Sequence, residues 1–160
     1  MNFLQRGGVW VLSQFVLMMA VIGLAVRFHG NGSNHLVMAV SVVLFGAGAV
    51  VGLAGAVTLG ANLTPFPRPL ERGEFVRSGV YARIRHPLYT SVMLASFGWA
   101  LFWGSWPSLA AACSMIPFFA LKARREERWL RKKFPAYEDY GRQVPRFLPC
   151  FRRCRDERYH

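Results

Sequence analysis

Between Leu88 and Leu121 the chain carries no Asp, Glu, Lys or Arg, and charge-free runs also extend from Val9 to Val26 and from Leu36 to Ala61. Apolar stretches of this length limit the fold more than any other feature, because about 20 apolar residues suffice for a helix to cross a hydrocarbon core of about 30 Å. With 53% hydrophobic residues in 160, the chain is too apolar and too short for a large soluble core divided into two domains. The expected fold is all-α: one polytopic membrane domain over residues 1–149, followed by a basic tail over 150–160.

The spacing predicts four transmembrane helices, at about 9–26, 36–61, 87–103 and 108–121. The last two are short and are joined by Gly104-Ser105-Trp106-Pro107 inside a tryptophan cluster, Trp99, Trp103 and Trp106, of the kind found at a membrane interface. The net charge of +12 could suit nucleic acid, and the placement of the cations decides against it. With the N-terminus inside and four crossings, Arg6, the five arginines from Arg68 to Arg85 and the thirteen Lys and Arg from Lys122 onward are cytoplasmic, and Arg27 alone is outside. That split follows the positive-inside rule. The expected location is a bacterial inner membrane with both termini cytoplasmic, and the basic face attracts anionic lipid headgroups. Ala25-Val26-Arg27 lacks a small-x-small cleavage pattern, so the first run reads as an uncleaved span and not as a secretory signal.

Gly48 and Gly52 lie four apart in the second run, a spacing that lets helices approach closely in lipid. The prolines of Thr64-Pro65-Phe66-Pro67-Arg68-Pro69 deny helix hydrogen bonds and mark where the chain leaves the membrane. A cytoplasmic loop then runs from Leu70 to His86 with Gly73 and Gly79 as turns, and Pro87 suits the first turn of the third span. Pro117 should free the carbonyl of Cys113 and kink or open the fourth span. Lys122 to Phe134 should continue that helix into the cytoplasm until Pro135 stops it. Cys113 falls in a span and Cys150 and Cys154 in the tail on the reducing side, so structural disulfides are not expected. No His or second Cys pair accompanies them, and no metal site is expected.

The residues at the cytoplasmic edge admit two readings. Arg83 and Arg85 serve as membrane anchors, or they join His86 in a reactive site at the start of the third span. Glu126 and Glu127 are the only acids among seven basic residues from Lys122 to Lys133. They form helical salt bridges, Lys122 with Glu126 and Glu127 with Arg131, or one of them faces a pocket. Adjacent helical residues diverge by about 100°, so at most one glutamate points squarely into such a pocket while the other supports it.

Taken together, Ser78-Gly79-Val80-Tyr81, Arg85-His86-Pro87-Leu88-Tyr89, Glu126-Glu127, Phe134 with Tyr137 and Tyr140, and Val144-Pro145-Arg146-Phe147-Leu148-Pro149 resemble the isoprenylcysteine carboxyl methyltransferase family. That family is related to the membrane phospholipid methyltransferases. The match covers roughly Leu59 to Pro149. Two departures are Gly79-Val80-Tyr81, where many relatives have Gly-Pro-Tyr, and Ser91, where they have glycine; the bulkier serine would narrow the lipid-facing approach.

The resemblance implies S-adenosylmethionine as cofactor, bound in a cytoplasm-facing pocket built from residues 70–149. It assigns backbone and apolar contacts to Glu74, Phe75 and Val76, packing on the cofactor to Tyr81 and Tyr89, and the pocket wall to His86 and Pro87, with Arg85 and Leu88 beside them. Glu126 or Glu127 would bind the ribose hydroxyls or the amino group, their charge suiting a sulfonium. Lys122 and Arg125 would hold an acidic group of the acceptor, and Glu126 completes the catalytic set. The implied reaction is methyl transfer to a lipophilic acceptor from the bilayer, most simply a carboxylate, which is already ionised and needs only alignment. An amine acceptor, as in phospholipid N-methylation, would first lose a proton to a glutamate or His86. Membrane sterol-type reductases using NADPH share the architecture, and a non-enzymatic membrane scaffold is the remaining alternative.

Overall fold

The structure, a computed structural model, describes residues 7–30, 34–66 and 73–149. Arg6, Pro67, Arg68, Pro69, the start of the cytoplasmic loop, Cys150, Cys154 and the basic tail lie outside the described residues. Among the described residues the α-helices are four long and one short, α1 (Gly8–Arg27), α2 (His35–Leu59), α3 (Pro87–Phe102), α4 (Trp106–Lys133) and α5 (Tyr137–Gln143), with 3-10 turns at Gly60–Asn62 and Gly79–Ala82. The described residues contain no strand.

Local sequence accounts for the ends. Asn34 accepts a hydrogen bond from the Val37 amide at 2.8 Å and caps α2. The second helix stops at Leu59, two residues earlier than its charge-free run suggests, and Gly60–Asn62 continues as a single 3-10 turn. Pro87 opens α3 and Pro107 lies in the first turn of α4, where Ser105 provides the cap. α4 continues as one helix through Pro117 to Lys133, and it ends at Phe134 immediately before Pro135. Packing of one face holds it through the lost hydrogen bond, since Met115 and Phe119, before and after the proline on that face, are wholly buried.

α1 and α2 are long and apolar enough to cross a membrane, and in each only 11% of the apolar window is buried within the protein. Leu12, Phe15 and Val16 on α1 and Val43, Val50 and Val57 on α2 are all more than half exposed. Surfaces so continuously apolar are stable only against lipid, so the chain is an integral membrane protein. α3 has 16 residues, about 24 Å of helix, and the charge-free part of α4 ends at Leu121.

α3 is the centre of the bundle, packing on α2 most extensively and also on α1 and α4. Small residues permit this. A Cβ on Gly48 would stand 2.9 Å from the Ser91 carbonyl, and one on Gly98 would stand 2.8 Å from the Ser41 carbonyl. α1 is tied to α4 by hydroxyls in the apolar layer, Ser108 donating to the Val21 carbonyl at 2.7 Å and Ser105 to the Leu24 carbonyl at 3.1 Å. Gly98→Leu is expected to cost about 1–3 kcal/mol by forcing the backbones of α2 and α3 apart, whereas Gly46→Leu, with nothing within 4 Å of its added Cβ, should be nearly neutral. Thermal unfolding of the two variants in detergent checks this, and equal stability would refute the close-packed α2–α3 seam.

Candidate active site

Where α3 begins and α4 leaves its apolar stretch, the chain encloses a partly open cavity. Its aromatic wall is Phe75 with Phe134, Tyr137 and Tyr140 around it at ring distances of 5.3–5.7 Å. The segment carrying Phe75 is held just before it, by the Glu74 amide donating to Asn62 Oδ1 at 3.0 Å and by Lys133 Nζ donating to the Gly73 carbonyl at 3.1 Å. Gly79 has φ 59°, and a Cβ there would meet Thr58 Oγ1 at 2.9 Å. Glycine therefore allows the turn Gly79–Ala82 to lie against α2 and bring Tyr81 to the cavity. Tyr140 Oη donates to the Tyr81 carbonyl at 2.6 Å and locks that turn to α5.

The polar floor is Glu126. Its carboxylate accepts a hydrogen bond from Tyr89 Oη at 2.7 Å and lies 3.7 Å from His86 Nδ1. The His86 and Tyr89 rings are parallel at 5.3 Å, and the other imidazole nitrogen, Nε2, is 3.2 Å from Glu127 Oε1. His86 thus stands between the two carboxylates. Burial, reinforced by the Glu126 charge, pushes the Tyr81 phenol above its ordinary value and keeps it protonated.

Glu127 faces away from the cavity, as the 100° step from Glu126 requires. It is buried, and Arg85 Nη1 at 2.9 Å, His86 Nε2 at 3.2 Å and a two-pronged Arg146 at 2.9 and 2.8 Å converge on it. Burial by itself would raise this carboxyl, but the hydrogen bonds from His86 and Arg146 and the charges of His86 and Arg85 hold it down at about 2. The last loop reaches the site through its backbone. The amides of Arg85 and His86 donate to the carbonyls of Pro145 and Arg146 at 2.9 and 3.0 Å, and Thr90 Oγ1 donates to the Phe147 carbonyl at 3.0 Å.

The structure brings Glu74, Phe75, Val76, Tyr81, Arg85, His86, Leu88, Tyr89 and Glu126 to one cavity. Pro87 is buried against Gly55 of α2 and is not part of the lining. Arg125 is exposed on the far side of α4, 5.7 Å over the Trp129 ring. Lys122 is buried next to the cavity, donating to Gln14 Oε1 at 2.5 Å and to the Pro65 carbonyl at 3.3 Å. Burial, partly offset by the Glu126 charge, lowers its ammonium to about 8, so it is protonated at neutral pH. The helical salt bridges Lys122–Glu126 and Glu127–Arg131 do not form among the described residues: the groups bond across elements instead, and Arg131 pairs with Glu138 at 3.4 Å.

Sequence reasoning did not place Arg146, Asn62 or Gln14 at the site. Arg146 was visible in Val144-Pro145-Arg146, but nothing local indicates that it crosses to Glu127. Gln14 had one signal, being an amide in an otherwise apolar run.

Comparison with known proteins agrees with this geometry. The family model for phospholipid methyltransferase matches residues 36–137, more than half of the chain. The chain is 30% identical to the cobalt-zinc-cadmium resistance protein CzcN of Cupriavidus metallidurans over 155 residues, covering 92% of the chain and 66% of that protein. It is 32% identical over 80 residues to the nickel-cobalt-cadmium resistance protein NccN of Alcaligenes xylosoxydans xylosoxydans, covering 48% of the chain and 36% of that protein. It thus spans less than two thirds of either curated relative. A eukaryotic intramembrane Ras methyltransferase, isoprenylcysteine carboxyl methyltransferase, superposes with a TM-score of 0.68 at 22% identity, over 93% of this chain and 54% of that one, which shows a common fold. By its sequence the chain belongs to the phospholipid methyltransferase family.

Proposed function

We propose that the chain is a membrane methyltransferase that uses S-adenosylmethionine, held in the cavity between the α3 entrance and α4, to methylate a lipophilic acceptor arriving from the bilayer. The observation that carries this reading is the Glu126 carboxylate, aimed into an aromatic-walled cavity and oriented by Tyr89. Such lining suits the group, because a sulfonium is attracted by a carboxylate and by aromatic faces, and Phe75 with its neighbours offers flat apolar surface for an adenine. When bound, the cofactor supplies an electrophilic methyl carried on sulfur.

The protein's part is alignment and exclusion of water. Glu126 opposes the positive charge, and Tyr89 holds that carboxylate in one orientation. Glu127 restrains Arg85 and His86 from behind. A carboxylate acceptor would need no base from the protein, because its oxygen is already ionised and the methyl it would take from the bound sulfonium requires no proton to leave. This O-methylation is the reading we favour, because Lys122, buried beside Tyr89 of the cavity wall, has no acidic partner among the described residues. The family description favours phospholipid N-methylation as the second reading, in which the Glu126 carboxylate in the cavity would receive the amine's proton. In the topology that goes with this function, all four long helices cross the membrane, with α3 and the apolar part of α4 spanning a locally thinned bilayer. Residues 1–149 form one domain, both termini are in the cytoplasm of a bacterial inner membrane, and anionic lipids gather at the basic face.

Calorimetry with S-adenosylhomocysteine on the detergent-purified protein, with NADPH as comparator, tests the reading. Saturable binding of S-adenosylhomocysteine alone is expected. Binding of NADPH instead would make the chain a reductase, and binding of neither by a folded sample would leave a scaffold.

A further inference from the structure

On the side of α4 away from Glu126 and the cavity lies a second, open recess that methyl transfer does not use. Arg124, Arg128 and Arg131, at i, i+4 and i+7, share one face of the helix and line it, with Arg125 beside them and Arg146 reaching in from the last loop. Like charges at that spacing destabilise a helix, and among the described residues no acid pairs with Arg124, Arg125 or Arg128. The one carboxylate in the lining, Glu127, is already held by Arg85, His86 and Arg146. The positive-inside rule accounts for the number of cations here, but not for their gathering on one face without acids.

Toward the bilayer the recess has an apolar rim, Leu121 on α4 and Trp10 on α1. Leu121 ends the charge-free part of α4 and is 53% exposed, and Trp10 packs on Phe118 at a ring distance of 5.6 Å. Arg124 follows Leu121 by about 5 Å of helix and Arg128 by about 10 Å. Helical side chains lean toward the N-terminus of their helix, which for this part of α4 is the bilayer side. Because the headgroup layer extends about 5–7 Å beyond the hydrocarbon on each side, these guanidinium groups stand at the depth of lipid phosphates. A phosphate presents several oxygens at once and matches the fork of arginine.

We infer that this recess binds a phosphate group, that of an anionic phospholipid whose chains pass Leu121 and Trp10, and that Arg146 carries the binding to the cavity. Arg146 donates from Nε and Nη2 to Glu127 at 2.9 and 2.8 Å, and its Nη1 has no partner among the described residues. A guanidinium has five N–H groups, so Arg146 holds Glu127 with one edge and offers the other to the phosphate. Bridged in this way, the last loop is fixed. Its Pro145 and Arg146 carbonyls accept from the Arg85 and His86 amides, so the lipid steadies one wall of the cavity from behind. The site and its coupling stand apart from the methyltransferase reading; only the effect on cofactor affinity rests on it.

The full chain in phosphatidylcholine nanodiscs tests the site through quenching of Trp10 by phosphatidylglycerol or phosphatidylcholine brominated near the headgroup, with Trp10→Phe to identify the signal. Quenching should favour phosphatidylglycerol by about tenfold, the worth of one charge-assisted hydrogen bond. Arg124→Gln with Arg128→Gln should abolish that preference. Arg83→Gln with Lys132→Gln removes the same charge from exposed positions outside the recess and should leave it intact. Equal quenching by the two lipids would overturn the site, and so would an equal loss in both double variants, which would mean a diffuse basic surface only. Inorganic phosphate at constant ionic strength separates the sources: a retained preference supports the lipid, and its loss would make the ligand a free phosphate. Amide hydrogen exchange at Arg85 and His86 reads the coupling. Phosphatidylglycerol should slow it about fivefold, but not in Arg146→Lys, which keeps the charge and lacks the second edge. Exchange that is the same in both lipids would overturn the coupling. Calorimetry with S-adenosylhomocysteine should show tighter binding beside phosphatidylglycerol. Equal affinity in both lipids would break the link to the cavity, and no binding in either sinks the methyltransferase reading alone.

Discussion

Glu127→Gln is expected to lower stability by about 3–5 kcal/mol, because it leaves Arg85 and Arg146 buried or half-buried against a neutral amide. In a chain of this size that corresponds to a fall of roughly 10 °C in unfolding temperature. The pH dependence distinguishes this cause from a packing defect. The Glu127 carboxyl is held at about 2 in the folded protein against an ordinary 4.5. Its contribution is fully present above pH 4.5 and is lost as the pH falls through 2, a difference of roughly 3 kcal/mol. The gap in unfolding temperature between wild type and variant should therefore narrow steadily below pH 4.5. A gap that stays constant down to pH 2 would show that the carboxylate's charge is not what holds the network.

Glu126→Gln should do something different: keep the fold and lose the ligand. Its side chain lies in the cavity, is partly open to solvent and has no arginine bonded to it among the described residues. Removing one charge-assisted contact of about 1.5–3 kcal/mol weakens binding by roughly 10- to 100-fold. Comparing two ligands tells what the carboxylate touches. A loss larger for S-adenosylmethionine than for S-adenosylhomocysteine means that Glu126 faces the sulfonium, and equal losses mean that it binds the ribose or the amino group. Unchanged affinity for both would remove Glu126 from the site.

Much of this was legible in the chain. Runs of uncharged residues give the helices within two or three positions, since hydrocarbon admits no other local structure for them. Gly79, Pro87 and Pro135 mark boundaries because glycine's freedom at positive φ and proline's missing amide proton act on their own segment. Pro117 lies inside α4, which continues past it because Met115 and Phe119 on one face are wholly buried. The expected salt bridges of α4 failed for a similar reason: a pair four residues apart is worth only a few tenths of a kcal/mol, and Arg85, His86 and Arg146 offer Glu127 a buried, many-handed alternative.

Composition and order alone determined that this chain lies in a membrane and that Arg85-His86-Pro87 and Glu126-Glu127 belong to the same edge. Only the tertiary structure decided which glutamate faces the cavity, that Arg146 returns from the last loop to Glu127, and that Gln14 and Lys122 meet across 108 positions. Helical periodicity fixes the angle between neighbouring side chains but not the phase of the helix against its partners. That phase is set by close packing of α3 on α2 and by hydroxyl bonds between α1 and α4, contacts between residues far apart in the chain.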